Sequence, residues 1–219
     1  MDDPVAAAAA QEDVRVRLID ALRDGIVPPD LSFDSFMPRD LRRVSYTHWT
    51  PLIVALRVAQ LLDAHGVRHL VDIGSGAGKF CVATALAGHF RVTGLEQRPR
   101  LVAFAGDLAR RFEVETRVDF VAQVFPDDGV PAADAYYLYN PFGENLFSAL
   151  SWIDPDVELT RERFDRDVAA TTAVLAGLPV GTLVVTYNGF GGTMPASFEA
   201  VQIDRDLPAE LELWRQGGG

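Results

Sequence analysis

The sequence predicts a doubly wound α/β fold: a mostly parallel, seven-stranded sheet with helices on both faces and a C-terminal antiparallel hairpin. Three observations carry this expectation. From His69 to Tyr187, short apolar runs of strand length alternate with longer segments of helical character, the pattern of a parallel sheet covered on both sides. Two strand-like runs at 198–203 and 211–215 then follow with no helix between them. Finally, the first strand, 69–73, runs into a glycine turn that opens a helix, Gly74-Ser75-Gly76-Ala77-Gly78.

The elements follow in order. In 11–26, Val14, Leu18, Ile19 and Leu22 fall at helical spacing, and Pro28-Pro29 ends that helix. The next stretch reads as a loop rich in aromatic residues: Phe33, Phe36, Tyr46, His48 and Trp49. Thr50 reads as an N-cap with Pro51 at the first helical position, and Gly66 closes the helix that follows. Strands are expected at 69–73, 91–96, 118–122, 135–140 and 182–187, ahead of the closing pair. Helices are expected at 78–87, 100–112 and 161–176. Residues 1–45 read as an N-terminal helical extension and 46–219 as the α/β domain.

A chain of 219 residues is long enough for a real core, and 48% apolar with 23% charged residues excludes a disordered polymer. No run approaches the roughly 18 apolar residues of a membrane span, and Met1-Asp2-Asp3-Pro4 is acidic where a secretory signal is basic. Cys81 is the only cysteine, which points to a reducing, cytoplasmic setting. The net charge of −11 disfavours a nucleic-acid partner, which would call for a basic face. Arg39, Arg42 and Arg43, with Arg57 nearby, read as a solvated or ion-paired surface. The four histidines, at 48, 65, 69 and 89, lack metal-ligand spacing, so no metal is expected.

The glycine turn carries the chemistry. Glycine permits positive φ and lets a ligand lie against bare backbone, and a helix N-terminus offers free N–H groups. A phosphate-binding P-loop is excluded: Gly74 to Gly78 is one residue short, and Phe80 stands where a magnesium-binding hydroxyl belongs. A dinucleotide fingerprint, G-x-G-x-x-G, places Lys79 at its third glycine, where it would crowd the helix–strand contact. Glu96 closes the next strand about 20 residues beyond the turn, the offset of a carboxylate that accepts hydrogen bonds from ribose hydroxyls.

Asp72-Ile73-Gly74-Ser75-Gly76-Ala77-Gly78 resembles motif I of the class I S-adenosylmethionine-dependent methyltransferases, an acidic residue, an apolar one, then G-x-G-x-G. The resemblance spans roughly 46–215 and makes 46–219 a Rossmann-like methyltransferase domain. It implies that Gly74 and Gly76, in a turn shared with Ser75 and Gly78, lie under the cofactor's amino acid and ribose. It implies that Asp72 serves the ammonium end, Gln97 lies beside the adenine, and Gln123 is nearest the place where members read the adenine amino group. Asp127 and Asp128 are alternatives to Gln123. It further implies that the upstream segment of Tyr46, His48, Trp49, Thr50 and Pro51 covers the methionine end, with Thr50 a candidate contact and a helix cap its alternative.

Asn140-Pro141-Phe142 resembles motif IV, [D/N/S]-P-P-[Y/F], of methyltransferases that modify amino or amide nitrogens. It departs from that pattern, having one proline and Gly143 after the aromatic residue. The Asn140 side-chain oxygen and neighbouring carbonyls can accept hydrogen bonds from an NH₂ group, and Phe142 offers a flat face. The resemblance thus implies S-adenosylmethionine as cofactor and methyl transfer to a nitrogen, with Asn140, Pro141 and Phe142 as catalytic residues. The acceptor is expected on a protein or small molecule, since an acidic surface suits a basic partner. No base is required for an amine that arrives neutral; Glu144 and His48 are candidate proton acceptors, each with a structural role as the alternative. The 143–160 connection, with Phe147, Trp152 and Ile153, reads as a lid or substrate wall, or as a surface loop packed by its own aromatics. Competing readings are an NAD-dependent oxidoreductase and a non-catalytic cofactor-binding protein.

Overall fold

The computed structural model describes residues 4–154 and 157–218. The acidic Met1-Asp2-Asp3, positions 155–156 of the 143–160 connection, and Gly219 lie outside the described residues. Four helices come first: α1 (Pro4–Arg23), α2 (Asp30–Asp34), α3 (Arg39–Arg43) and α4 (Ser45–His48). The alternating part runs α5 (Leu52–Ala64), β1 (His69–Ile73), α6 (Lys79–Ala87), β2 (Arg91–Glu96), α7 (Pro99–Arg111), β3 (Val118–Ala122) and β4 (Ala135–Leu138). Two 3₁₀ turns, Gly143–Leu146 and Ala149–Ser151, lead to α8 (Arg161–Ala176), β5 (Leu183–Tyr187), β6 (Phe198–Asp204) and β7 (Leu211–Gln216).

The sheet order is β3-β2-β1-β4-β5-β7-β6. The first five strands are mutually parallel, and β7 runs antiparallel to both β5 and β6. The expected mostly parallel sheet with a terminal hairpin is therefore the observed one. Its centre is apolar on both faces, as parallel strands must be. Leu70, Val71, Tyr136, Tyr137, Leu138, Val184 and Val185 are all buried. On one face Leu52, Leu62, Cys81, Leu86, Leu101 and Phe112 pack against the sheet; on the other, Leu175, Leu178, Phe190 and Phe198 do so. The winding reverses between β1 and β4, and the crevice beyond the carboxyl ends of those strands is where an open α/β sheet receives ligands.

The N-terminal stretch departs from expectation. Residues 30–48 are not a loop but three helices of four or five residues, too short to show a periodic pattern. Phe33 stacks on Phe112 at 4.8 Å, and Leu18, Ile19 and Leu22 of α1 enter the same buried cluster as α5 and α6. Thr50 does not cap α5. Pro51 holds the cap position, and Asp30 Oδ1 of α2 accepts the Leu52 N–H at 3.0 Å. Thr50 instead turns inward, its hydroxyl 3.0 Å from the Tyr137 hydroxyl. β4 also ends two residues early, because Asn140 adopts φ +38°, which no strand can continue through.

Lys79, the sole lysine, does not crowd the helix–strand contact. It is 2% exposed and turns toward α2, with Nζ 2.8 Å from Asp34 Oδ1 and 2.6 Å from Asp30 Oδ1. This buried pair ties α2 to the start of α6. Of the expected surface arginines, Arg57 pairs with Asp204 at 2.8 Å, and Arg43 donates to the Leu150 carbonyl. Among the described residues no helix is long and apolar enough to cross a membrane.

Breaking the Lys79 pair leaves the Asp34 carboxylate buried without its counter-ion. Lys79→Met is expected to lower unfolding stability by about 3 kcal/mol, read from urea midpoints at pH 7. A loss below about 1 kcal/mol would show that α2 is not fastened through this residue.

Candidate cofactor and acceptor site

At the end of β1 the chain turns under β2: the Gly74 and Ser75 N–H groups donate to the Leu95 carbonyl at 3.0 and 2.8 Å. Gly76 has φ +54°, and a Cβ there would lie 2.3 Å from the Trp49 ring. Gly78, the N-cap of α6, has φ +81°, and a Cβ would strike Ala105 and Phe120 at 2.7 and 2.8 Å. The close helix contact is thus made at Gly78, which is why Lys79 is free to turn elsewhere. Trp49 is itself anchored, its indole N–H donating to the Leu41 carbonyl at 3.1 Å.

Glu96 stands at the end of β2, beside this turn. Its Oε2 accepts the Gly76 N–H at 3.1 Å and its Oε1 the Arg98 N–H at 2.9 Å. Burial pushes its pKa up, opposed by Arg98 and by those backbone donors. Behind the turn lies Asp72, fully enclosed, accepting the Cys81 thiol at 3.1 Å. Burial pushes the Asp72 pKa up from 3.8 to about 7, and the enclosed Cys81 thiol is likewise pushed up.

A cavity of about 150 Å³ opens at the carboxyl edge of the parallel strands. Gly74, Gly76, Glu96 and Gln97 line it from β1 and β2, and Gln123 from beyond β3. Asn140, Pro141 and Phe142 line it from beyond β4. The structure thus brings eight of the sequence-derived residues together. Thr50, Asp72, Ser75 and Gly78 do not line the cavity. All four are buried behind its wall, with the Ser75 side chain against Gly94.

The Asn140 turn is tightly held. Its N–H donates to the Gly189 carbonyl and its own carbonyl accepts the Gly143 N–H, both at 2.9 Å. The Asn140 carboxamide lies over Gly143, where a Cβ would come 2.3 Å from Nδ2. Gly143, the departure from the family pattern, is thus the residue that makes room for Asn140. Phe142 is buried, nearly parallel to Phe125 with ring centroids 6.4 Å apart.

Other residues reach the cavity without having been singled out from sequence: Arg98, Arg163 and Asn188. Arg163 Nη2 donates to Gln97 Oε1 at 2.6 Å. Asn188, at the end of β5, has φ +54° like a turn residue. Its one sequence signal is a polar residue at the carboxyl end of a parallel strand. The two candidate proton acceptors are both engaged. Glu144 accepts from Arg98 and from the Ile153 N–H. His48 Nε2 lies 2.6 Å from the Ser151 carbonyl, so that nitrogen carries the proton, and burial pushes its pKa down. Among the described residues no group of three or more His, Cys, Asp or Glu side chains could hold a metal.

No protein-family model and no curated protein matches this chain. Solved structures do share its fold. An RNA methyltransferase from Salinibacter ruber, in complex with S-adenosyl-L-homocysteine, is 20% identical and has a TM-score of 0.57 over 78% of this chain and 94% of that one. An O-methyltransferase from Bacillus cereus, also with S-adenosylhomocysteine, is 11% identical, with a TM-score of 0.55 over 90% and 96%. An O-methyltransferase family 2 protein from Planctomyces limnophilus, in complex with apigenin, is 20% identical, with a TM-score of 0.55 over 89% and 64%. The chain has the methyltransferase α/β fold.

The Asp72 carboxyl gives the site a measurable pH dependence. A carboxyl that ionises less readily folded than unfolded stabilises the native state most at low pH. That contribution declines from the ordinary value of 3.8 until pH passes about 7. Wild type is therefore expected to lose melting temperature relative to Asp72→Asn between pH 5 and 8, by roughly 5–10 °C. Parallel melting curves of the two proteins would refute a protonated Asp72.

Proposed function

We propose that this chain is an S-adenosylmethionine-dependent methyltransferase that transfers the methyl group to a nitrogen on a protein or small molecule. The observation that carries the reading is the Glu96 carboxylate meeting the Gly76 amide at 3.1 Å on the cavity wall. A carboxylate oxygen has lone pairs beyond one backbone donor, so Glu96 can still accept ribose hydroxyls. The donor set fits the cofactor. Glu96 would hold the ribose, Gln97 and Gln123 the adenine edge, and Gly74 and Gly76 the methionine end. Asp72, behind the turn, would serve the ammonium in its ionised form, which the arriving cation favours against the upward push of burial.

When bound, the cofactor supplies an electrophilic methyl on a sulfonium; the protein supplies position. Asn140 Oδ1 accepts a hydrogen bond from the acceptor nitrogen and aims its lone pair. Phe142 and Trp49 wall the site against water, and alignment of nucleophile and methyl provides the acceleration. The net charge of −11 favours a protein or small-molecule acceptor over nucleic acid. In this reading 46–219 is the catalytic domain, 1–45 is an extension that completes its core, and the lone buried Cys81 suits a reducing compartment such as the cytoplasm.

Calorimetry is the first test. S-adenosylmethionine and S-adenosylhomocysteine are expected to bind and NAD to give no heat; the reverse pattern would sink the reading. Glu96→Ala is expected to weaken S-adenosylhomocysteine by about 10–100-fold, the worth of hydrogen bonds to a charged group. Gly76→Arg is expected to abolish binding. Tritiated methyl transfer into protein, RNA and small-molecule fractions of a lysate then identifies the acceptor class. With that acceptor, Asn140→Ala should lower turnover more than cofactor affinity, and an unchanged rate removes Asn140 from catalysis.

A further inference from the structure

Two buried carboxylates on separate elements share one buried guanidinium beside the cavity. Glu96 and Arg98 are each 5% exposed and Glu144 is 8% exposed. The Arg98 backbone N–H donates to Glu96 Oε1 at 2.9 Å, while its Nη1 reaches the same oxygen only at 3.4 Å. Its Nη2 donates to Glu144 Oε2 at 2.6 Å, and Glu144 Oε1 accepts the Ile153 N–H at 2.7 Å. A continuous polar chain therefore runs from the Gly76 amide through Glu96, Arg98 and Glu144 to Ile153.

Three features make this chain more than a structural fastening. All three side chains line the cavity. Glu144 lies two residues beyond Phe142, so whatever holds it also holds the chain that leaves the Asn140 turn. Arg98 Nε is buried without a partner, so the guanidinium is stretched between its carboxylates and not fully satisfied by either. The 3.4 Å contact is long and readily surrendered, whereas the 2.6 Å one is short and charge-assisted.

Resting on the cofactor reading above, we propose that Arg98 is a positioning residue that couples the ribose carboxylate to the acceptor side of the site. Hydroxyl donors arriving at Glu96 replace its long contact with Nη1. The guanidinium then settles on Glu144, which holds residues 143–154 across the cavity, beside the Asn140 turn that the fold has already fixed. Cofactor binding thereby organises the acceptor half before an acceptor arrives.

The test is hydrogen–deuterium exchange across 143–153 in the full chain, with and without S-adenosylhomocysteine as the probe. In wild type the probe is expected to slow exchange at and around Ile153 by about tenfold. Arg98→Met and Glu144→Gln are expected to bind the probe with less than about a tenfold loss of affinity yet show no slowing. Arg98→Lys is expected to restore part of it. Slowing that survives in Arg98→Met, or wild-type exchange that ignores a bound probe, overturns the assignment while leaving the cofactor reading standing. Failure of wild type to bind the probe removes both. Should Arg98→Met melt at room temperature, Glu144→Gln decides the matter, since glutamine keeps the shape and the acceptor for the Ile153 amide.

Discussion

The hydrogen bond from the Gly76 amide to the Glu96 carboxylate joins the ends of the first two strands, next to where the sheet reverses its winding. Much of the site follows from it. A carboxylate placed so deep must be compensated, since desolvation raises the free energy of its charged form. The backbone donors of Gly76 and Arg98 meet part of that demand, and the Arg98 guanidinium brings the opposing charge. Gly76 can present its amide only because its backbone takes a left-handed turn, and that turn leaves the space that Trp49 occupies. One backbone-to-side-chain bond thus constrains the glycine, the tryptophan, the arginine and, through Glu144, the segment beyond β4.

A second constraint acts from outside the sheet. Asp30 accepts the first amide of α5 and pairs with Lys79 at the first turn of α6. α2, only five residues long, therefore fastens two of the helices that cover one sheet face. The same short helices carry the chain to Trp49, so the cover over the glycine turn is positioned by polar bonds as well as by packing. Cutting those bonds loosens the N-terminal layer and the Trp49 side of the cavity together.

The alternating part of the fold was legible because its signals are local. β3 and α8 have the bounds that periodicity predicts, and the terminal hairpin follows from the missing helix. The 30–48 helices were not legible, since four or five residues cannot display a 3.6-residue repeat. Thr50 looked like a cap because a threonine before a proline carries that signature; a distant aspartate supplies the bond, and no local pattern announces it. The same holds for the site. Gly76, Glu96 and Asn140 stand at or just beyond strand ends, where short local motifs and one offset single them out. Arg98 and Glu144 sit 46 residues apart, and only the folded chain shows that they share a hydrogen bond.

The seat of Asn140 over Gly143 has a consequence for how binding energy is spent. An unrestrained carboxamide samples several rotamers, and a ligand that needs one of them must bear the entropy of selecting it. Here the left-handed backbone of Asn140, its amide's bond to Gly189 and the bare Cα of Gly143 together make a mould for a single orientation. The ordering cost is met once, by folding, and is absent from every later encounter. A polar group arriving at the end of β4 meets a preorganised dipole, so its interaction is expressed as direction and not consumed in arranging the partner.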